Sequence, residues 1–250
     1  SYNSSLVYCR IQGTKSVALT VDGSVPTINQ NTITGNSGKG LLITNTKLNL
    51  RNNFISHNTN RGLELNNAVI QLRNSIIAHN GESGIFASLA ADTVYLENVV
   101  IANNNSVGVY VANGRLQVIN SIIMNNTTSQ IAPGGDNTTV TFSAIGGAQP
   151  YEGEGNIRVN QIRFQDVIKY ELQSDSDGID DGNNNVIYND WVFPPSHDGI
   201  QNDMGAYGGP LAHFMYPPVY IDPTPLDFGS VAKGNLKHMS IKLKLSLIHI

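Results

Sequence analysis

A single unit of 22 residues recurs through the first half of this chain. Asn36, Asn58, Asn80, Asn104 and Asn126 are separated by 22, 22, 24 and 22 residues, and Gly40, Gly62, Gly84 and Gly108 each follow four residues behind one of the first four. The copies read GLLIT…LNLRNNFISHN, GLELN…IQLRNSIIAHN, GIFAS…VYLENVVIANN and GVYVA…LQVINSIIMNN, and residues 17–36 look like one more. A fixed period of this size restricts the chain to architectures in which each unit stacks on the next.

Inside a unit, apolar residues alternate: Leu63 and Leu65 around Glu64, Ile70 and Leu72 around Gln71, Val109 and Val111 around Tyr110. Period two means strands with one buried face, and no segment sustains the 3.6 period of a helix. Several short strands per unit, without reversal signals, stack in parallel about 4.8 Å apart. The expected fold class is all-β, a right-handed single-stranded parallel β-helix (a solenoid) with a C-terminal capping segment. Asn52, Asn74, Asn98 and Asn120 fall in one column at a tight bend, where asparagine tolerates the left-handed backbone. Their stacked amides are expected to bond from coil to coil as a ladder. The Asn36 to Asn126 column sits at the next corner. Ile76 and Ile122 are expected in a stacked aliphatic column, where an aspartate would disrupt folding.

Composition excludes some functions. Charged residues make up 14% of the chain and the net charge is -4, with no basic run for nucleic acid. No apolar run has transmembrane length, so membrane insertion is not expected. Ser1 begins inside or just before a repeat, as expected of a fragment of something longer, so the missing signal segment says little. Cys9 is the sole cysteine and alternates with apolar neighbours as a small core side chain would. Residues 1–131 carry eight Lys and Arg against five Asp and Glu, whereas residues 151–235 carry four against thirteen. That shift, with APGGD and IGGAQP, marks a boundary near residues 132–150. The expected organisation is a solenoid over 1–215, capped from about residue 150, then a linker and a truncated β module or appended tail over 216–250.

On this repeat, over roughly residues 5–210, the chain resembles the secreted bacterial right-handed β-helix proteins of the pectin-lyase-like superfamily. SDGIDDGNNNVIYNDWVFPPSHDGIQNDMGAYGGP looks like the closing block of such proteins, through Ile179, Asp180 and Gly182 and then Asp203, Met204, Gly205, Ala206 and Tyr207. A solenoid needs an end cover for its last coil. VYIDPTPLDFGSVAKGN, residues 219–235, is similar to the first strand of the immunoglobulin-like modules that follow in such secreted proteins. The final stretch alternates Ile241, Leu243, Leu245 and Leu247 with lysines, as a strand seeking an edge does, in this chain or in another copy. The resemblance implies a secreted or cell-surface location.

Stacking turns equal repeat positions into outward columns: Asn49, Gln71, Tyr95, Gln117; Arg51, Arg73, Glu97, Ile119; Leu42, Glu64, Phe86, Tyr110; and His57, His79, Asn103, Asn125. The resemblance implies uronate lyase chemistry, with an arginine or lysine base and calcium on clustered acids. Arg51 and Arg73 suit a carboxylate clamp, with Glu97 beside Arg73. Phe86, Tyr95 and Tyr110 suit stacking on sugars. The acids of residues 28–131, Glu64, Glu82, Asp92 and Glu97, fall in different columns, whereas glycoside hydrolysis needs two carboxylates about 5–9.5 Å apart. His57 and His79 lack a third metal ligand. Asp175, Asp177, Asp180 and Asp181 supply hard oxygens of the kind calcium takes, without the distal glutamate of an EF-hand loop; no other cofactor is required. The functional expectation is an extracellular domain that binds a polysaccharide or cell-surface glycan, with lyase or hydrolase cleavage left open. The alternatives are a non-catalytic stalk or adhesin module, or a remnant of an enzyme whose catalytic coils lie upstream.

Overall fold

The computed structural model describes residues 4–89, 92–132, 137–197, 199–215, 220–222 and 242–244. The chain divides into two units, Ser1–Met215 and Tyr216–Ile250. In the second, Tyr220–Asp222 pairs antiparallel with Lys242–Lys244. The rest of the immunoglobulin-like segment expected over 219–235 lies outside the described residues.

The first unit is a parallel solenoid with three faces. The first face stacks Ser5–Val7, Thr27–Asn29, Lys47–Arg51, the start of Val69–Ala78, the start of Thr93–Ala102, Arg115–Ile119 and Thr138–Thr141. The second stacks Arg10–Gln12, Thr32–Thr34, Phe54–Ser56, the ends of the two long strands, Ile122–Met124 and Ala144–Ile145. The third stacks Leu19–Asp22, Leu41–Thr44, Leu63–Asn66, Ile85–Ser88, Val107–Ala112 and Ser129–Ala132. Side chains alternate in and out, so each face contributes a buried aliphatic column. These are Ile28, Leu50, Leu72, Leu96, Val118 and Val140; Ile33, Ile55, Ile77, Ile101, Ile123 and Ile145; and Leu41, Leu63, Ile85 and Val109. The 24-residue step is absorbed between Ser88 and Thr93, and the strands on either side keep their register.

The asparagine ladder is formed by the Asn36 to Asn126 column. Each amide Nδ2 donates to the Oδ1 of the next coil, Asn36 to Asn58 at 2.8 Å, Asn58 to Asn80 at 3.0 Å, Asn80 to Asn104 at 3.0 Å and Asn104 to Asn126 at 2.9 Å. Thr14 donates to the first rung and Gln130 accepts from the last. The same Nδ2 atoms reach the carbonyls of Ile11, Ile33, Ile55, Ile77 and Ile101, so corner carbonyls are satisfied inside the core. This explains the glycines that keep time with the asparagines. A Cβ on Gly62 would lie 2.7 Å from Asn80 Nδ2, 2.7 Å from Ile77 Cγ2 and 2.9 Å from the Gly84 carbonyl. We therefore expect Gly62→Ala to cost about 2 kcal/mol by overpacking, read as a lower urea midpoint. Gly35→Asn should be silent, because Gly35 faces open space at a positive φ that Asn103 and Asn125 adopt in the same column.

The Asn52 column behaves otherwise. Asn52, Asn74, Asn98 and Asn120 do adopt positive φ, at 55, 43, 50 and 51°. Their amides do not bond to one another, because they point out of the corner toward residues 183–211. Asn52 Nδ2 donates to the Leu211 carbonyl, Asn74 to Ala206 and Gly208, and Asn98 to Asp203 and Gly205, while Asn120 Oδ1 accepts from Asn183 N. The closing block thus runs down the side of the solenoid, against coil order. The last coil is covered instead by residues 151–157: Ile157 bridges Ala144 in parallel, Glu154 accepts from Phe142 N, and Tyr151 packs on the core. A hairpin joining Phe164 to Leu172 leads into the block.

Ile76 and Ile122 do stand in a stacked aliphatic column, as expected. With Val100 they form a stacked column that is 0–1% exposed, but on the outside of the second face. Gly205 of the block lies against Val100 and Ile122. The inward position is the neighbouring Ile77.

Candidate functional site

The first face carries an open cleft of ≈ 370 Å³. Its floor is the stacked outward positions Gln71 and Arg73, Tyr95 and Glu97, Gln117 and Ile119, Thr139 and Thr141, from consecutive coils. Arg73 Nε donates to Glu97 Oε2 at 3.0 Å, with both side chains partly exposed. Tyr95 is 38% exposed. The wall is Tyr188, from the closing block. Its carbonyl accepts from Asn202 Nδ2, and Asn202 exchanges amide hydrogen bonds with Asn98, next to Glu97. Burial and the Glu97 charge raise the Tyr188 phenol above its ordinary pKa, and Arg73 partly offsets them. The cleft therefore offers a charge pair, two phenols and two carboxamides over four rungs.

The expected site residues divide among three places. Arg73, Tyr95 and Glu97 meet in the cleft; Arg51 is the next rung below Arg73, exposed and without an ion pair among the described residues. Phe86 and Tyr110 lie on the third face, stacked 5.0 Å apart with planes 6° off parallel. The Arg61 guanidinium sits 3.7 Å over Phe86, so Phe86 is sandwiched. Arg61 also pairs with Glu64 and Glu82, and Lys39 with Glu64. Burial alone would raise the Glu64 carboxyl; the hydrogen bonds from Lys39 and Arg61 outweigh it and hold the carboxyl below its usual range.

The four aspartates take separate partners. Asp175 pairs with Arg163, Asp181 accepts from Gly178 N, and Asp180 N donates to Asp203 Oδ1. Asp177 lies beside Gln161. Among the described residues no three His, Cys, Asp or Glu side chains converge as a metal cluster. His57 and His79 stack at 4.9 Å, and His79 Nε2 is taken up by Tyr170 Oη and the Val167 carbonyl. Desolvation, then the His79 charge, lowers the His57 pKa.

Residues 1–145 match the family model described as the right handed beta helix region. The chain belongs to that family. Neither the curated proteins nor the solved structures gave a match. In this β-helix the outward columns bring Gln71, Arg73, Tyr95, Glu97, Gln117 and Ile119 to the cleft, because these residues share a register with the repeat. Tyr188 lies outside the repeat, more than ninety residues from Tyr95 in the chain, so no column points to it. Among the described residues no helix is long and apolar enough to cross a membrane.

Proposed function

We propose that this β-helix is a secreted or cell-surface domain that binds polysaccharide along its first face. The observation that carries this reading is the cleft itself, in which Gln71, Arg73, Tyr95, Glu97, Gln117 and Tyr188 line one open trough across successive rungs. Rungs about 4.8 Å apart present phenols to sugar faces and amides and charges to hydroxyls or carboxylates. Arg51, one rung beyond Arg73 and without an ion pair among the described residues, favours an acidic polymer. Binding without cleavage is the better supported form. Among the described residues the lining holds one carboxylate, Glu97, and Arg73 engages it, so hydrolysis with two carboxylates lacks a partner among them.

The test is affinity electrophoresis against acidic and neutral polysaccharides. Tyr95→Ala and Arg73→Ala should each weaken binding about tenfold, or about 1.4 kcal/mol, without moving the melting temperature. Wild-type migration that no polysaccharide alters would sink the reading and leave a stalk or adhesin module. Release of ultraviolet-absorbing unsaturated ends from a uronate polymer would instead make the cleft a lyase site.

A further inference from the structure

The closing block contains two buried carboxylates that the ligand reading does not use. Asp190 is 1% exposed and Asp203 2%, and neither has a Lys or Arg ion pair among the described residues. They organise the block by accepting backbone hydrogens. Asp190 takes the N–H groups of Gly209 and Asp203, and Asp203 takes those of Asp180 and His197. Asp190 faces Asp203 and the Ser196 hydroxyl, while Asp203 also faces Asp180 and His197. The same residues sit where the block meets the solenoid, since Asn98 Nδ2 donates to the Asp203 carbonyl and to Asn202. Two adjacent buried carboxylates with so little positive charge around them resist being ionised together.

We propose that residues 177–197 and 199–212 form a proton-locked latch: while the carboxyls of Asp190 and Asp203 hold a proton, the block stays docked on the left-handed asparagine corner, and losing it releases the block together with Tyr188, the wall of the cleft. Burial, and for Asp190 the charge of Asp203, raises the two carboxyls from 3.8 to about 8 and about 6. The sign follows from linkage. The docked form binds these protons more tightly than the released form, where both groups titrate near their ordinary value of about 4. Docking is therefore strongest below about pH 4 and weakens as pH rises through about 6 and then about 8. Because Tyr188 rides on the latch, a cleft ligand that touches it would move release to higher pH; only that corollary rests on the ligand reading.

The chain carries its own reporter, since Trp191, its single tryptophan, lies in the latch. The experiment follows Trp191 anisotropy and hydrogen exchange over residues 199–212 from about pH 5 to about pH 9, with far-ultraviolet circular dichroism reporting the strands. We expect anisotropy and exchange protection to fall between the two titrations while the strand signal holds. Asn98→Ala, which removes docking bonds but no titrating group, should shift release about one unit lower, a tenfold weaker docking constant. If that variant does not fold, Asn52→Ala, which loses the bond to Leu211, should move release in the same direction by less. Anisotropy and exchange that stay level across the range would overturn the latch, as would full redocking at high pH on adding millimolar calcium chloride, which would assign the carboxylates to a cation. No polysaccharide enters these measurements, so their failure is distinct from failure of the binding reading.

Discussion

Ile77→Asp should leave no folded solenoid, whereas Ile76→Asp, one residue away, should leave the solenoid folded and its latch detached. Ile77 is 0% exposed and stacks between Ile55 and Ile101 in the core. Among these aliphatic side chains a carboxylate finds no partner; loss of the isoleucine contacts alone costs about 2–5 kcal/mol, and the unpaired charge adds several more. The sum rivals the whole stability of an ordinary domain, about 5–15 kcal/mol. Ile76 instead belongs to the outer Ile76–Val100–Ile122 column of the second face, and Gly205 of the closing block lies against Val100 and Ile122 of that column. Undocking lets that side chain ionise in water. Circular dichroism separates the outcomes: strand signal lost for Ile77→Asp, and kept for Ile76→Asp with hydrogen-exchange protection lost over residues 199–212. Equal loss of strand signal in both would refute the assignment of the two faces.

The second large effect is at the centre of the ladder. Asn80 Oδ1 accepts from the backbone and side-chain nitrogens of Asn58, and its Nδ2 donates to the Ile55 carbonyl and to Asn104. Asn80→Ala removes all four bonds at a site 1% exposed. At about 1 kcal/mol per bond the loss is about 4 kcal/mol, and the stranded Asn58 N–H adds to it. Asn113→Ala is the comparison: Asn113 also has positive φ, at 59°, but it is exposed, so only backbone strain of about 1 kcal/mol is added. A urea denaturation series that placed the two variants level would show that the ladder contributes no more than any bend.

What the sequence revealed and what it hid follow from one distinction. Anything that repeats is legible, because a column is visible as a period; this applies to the core isoleucines, the outward columns and, within those, six of the cleft residues. The function of a column is less legible than its existence. Two asparagine columns of identical spacing divide into a buried ladder and a docking corner, and only the partner at residues 183–211 decides which is which. A further ladder escapes notice because its residue type changes along the stack. Asn31, Asn53, Ser75, Ser121, Ser143 and Asn156 each accept from a backbone nitrogen one coil away. The latch and Tyr188 were hidden for a different reason: their pairings join residues 63–159 positions apart, with no period to announce them.

The two extra residues between Ser88 and Thr93 carry a practical consequence. Thr93 opens the strand that bears Tyr95 and Glu97, yet lengthening the corner before it left Gln71 opposite Tyr95 and Ile85 opposite both Leu63 and Val109. Length at this corner is therefore decoupled from alignment of the rungs. A longer segment could be spliced in between Ser88 and Thr93, and the scaffold would keep count.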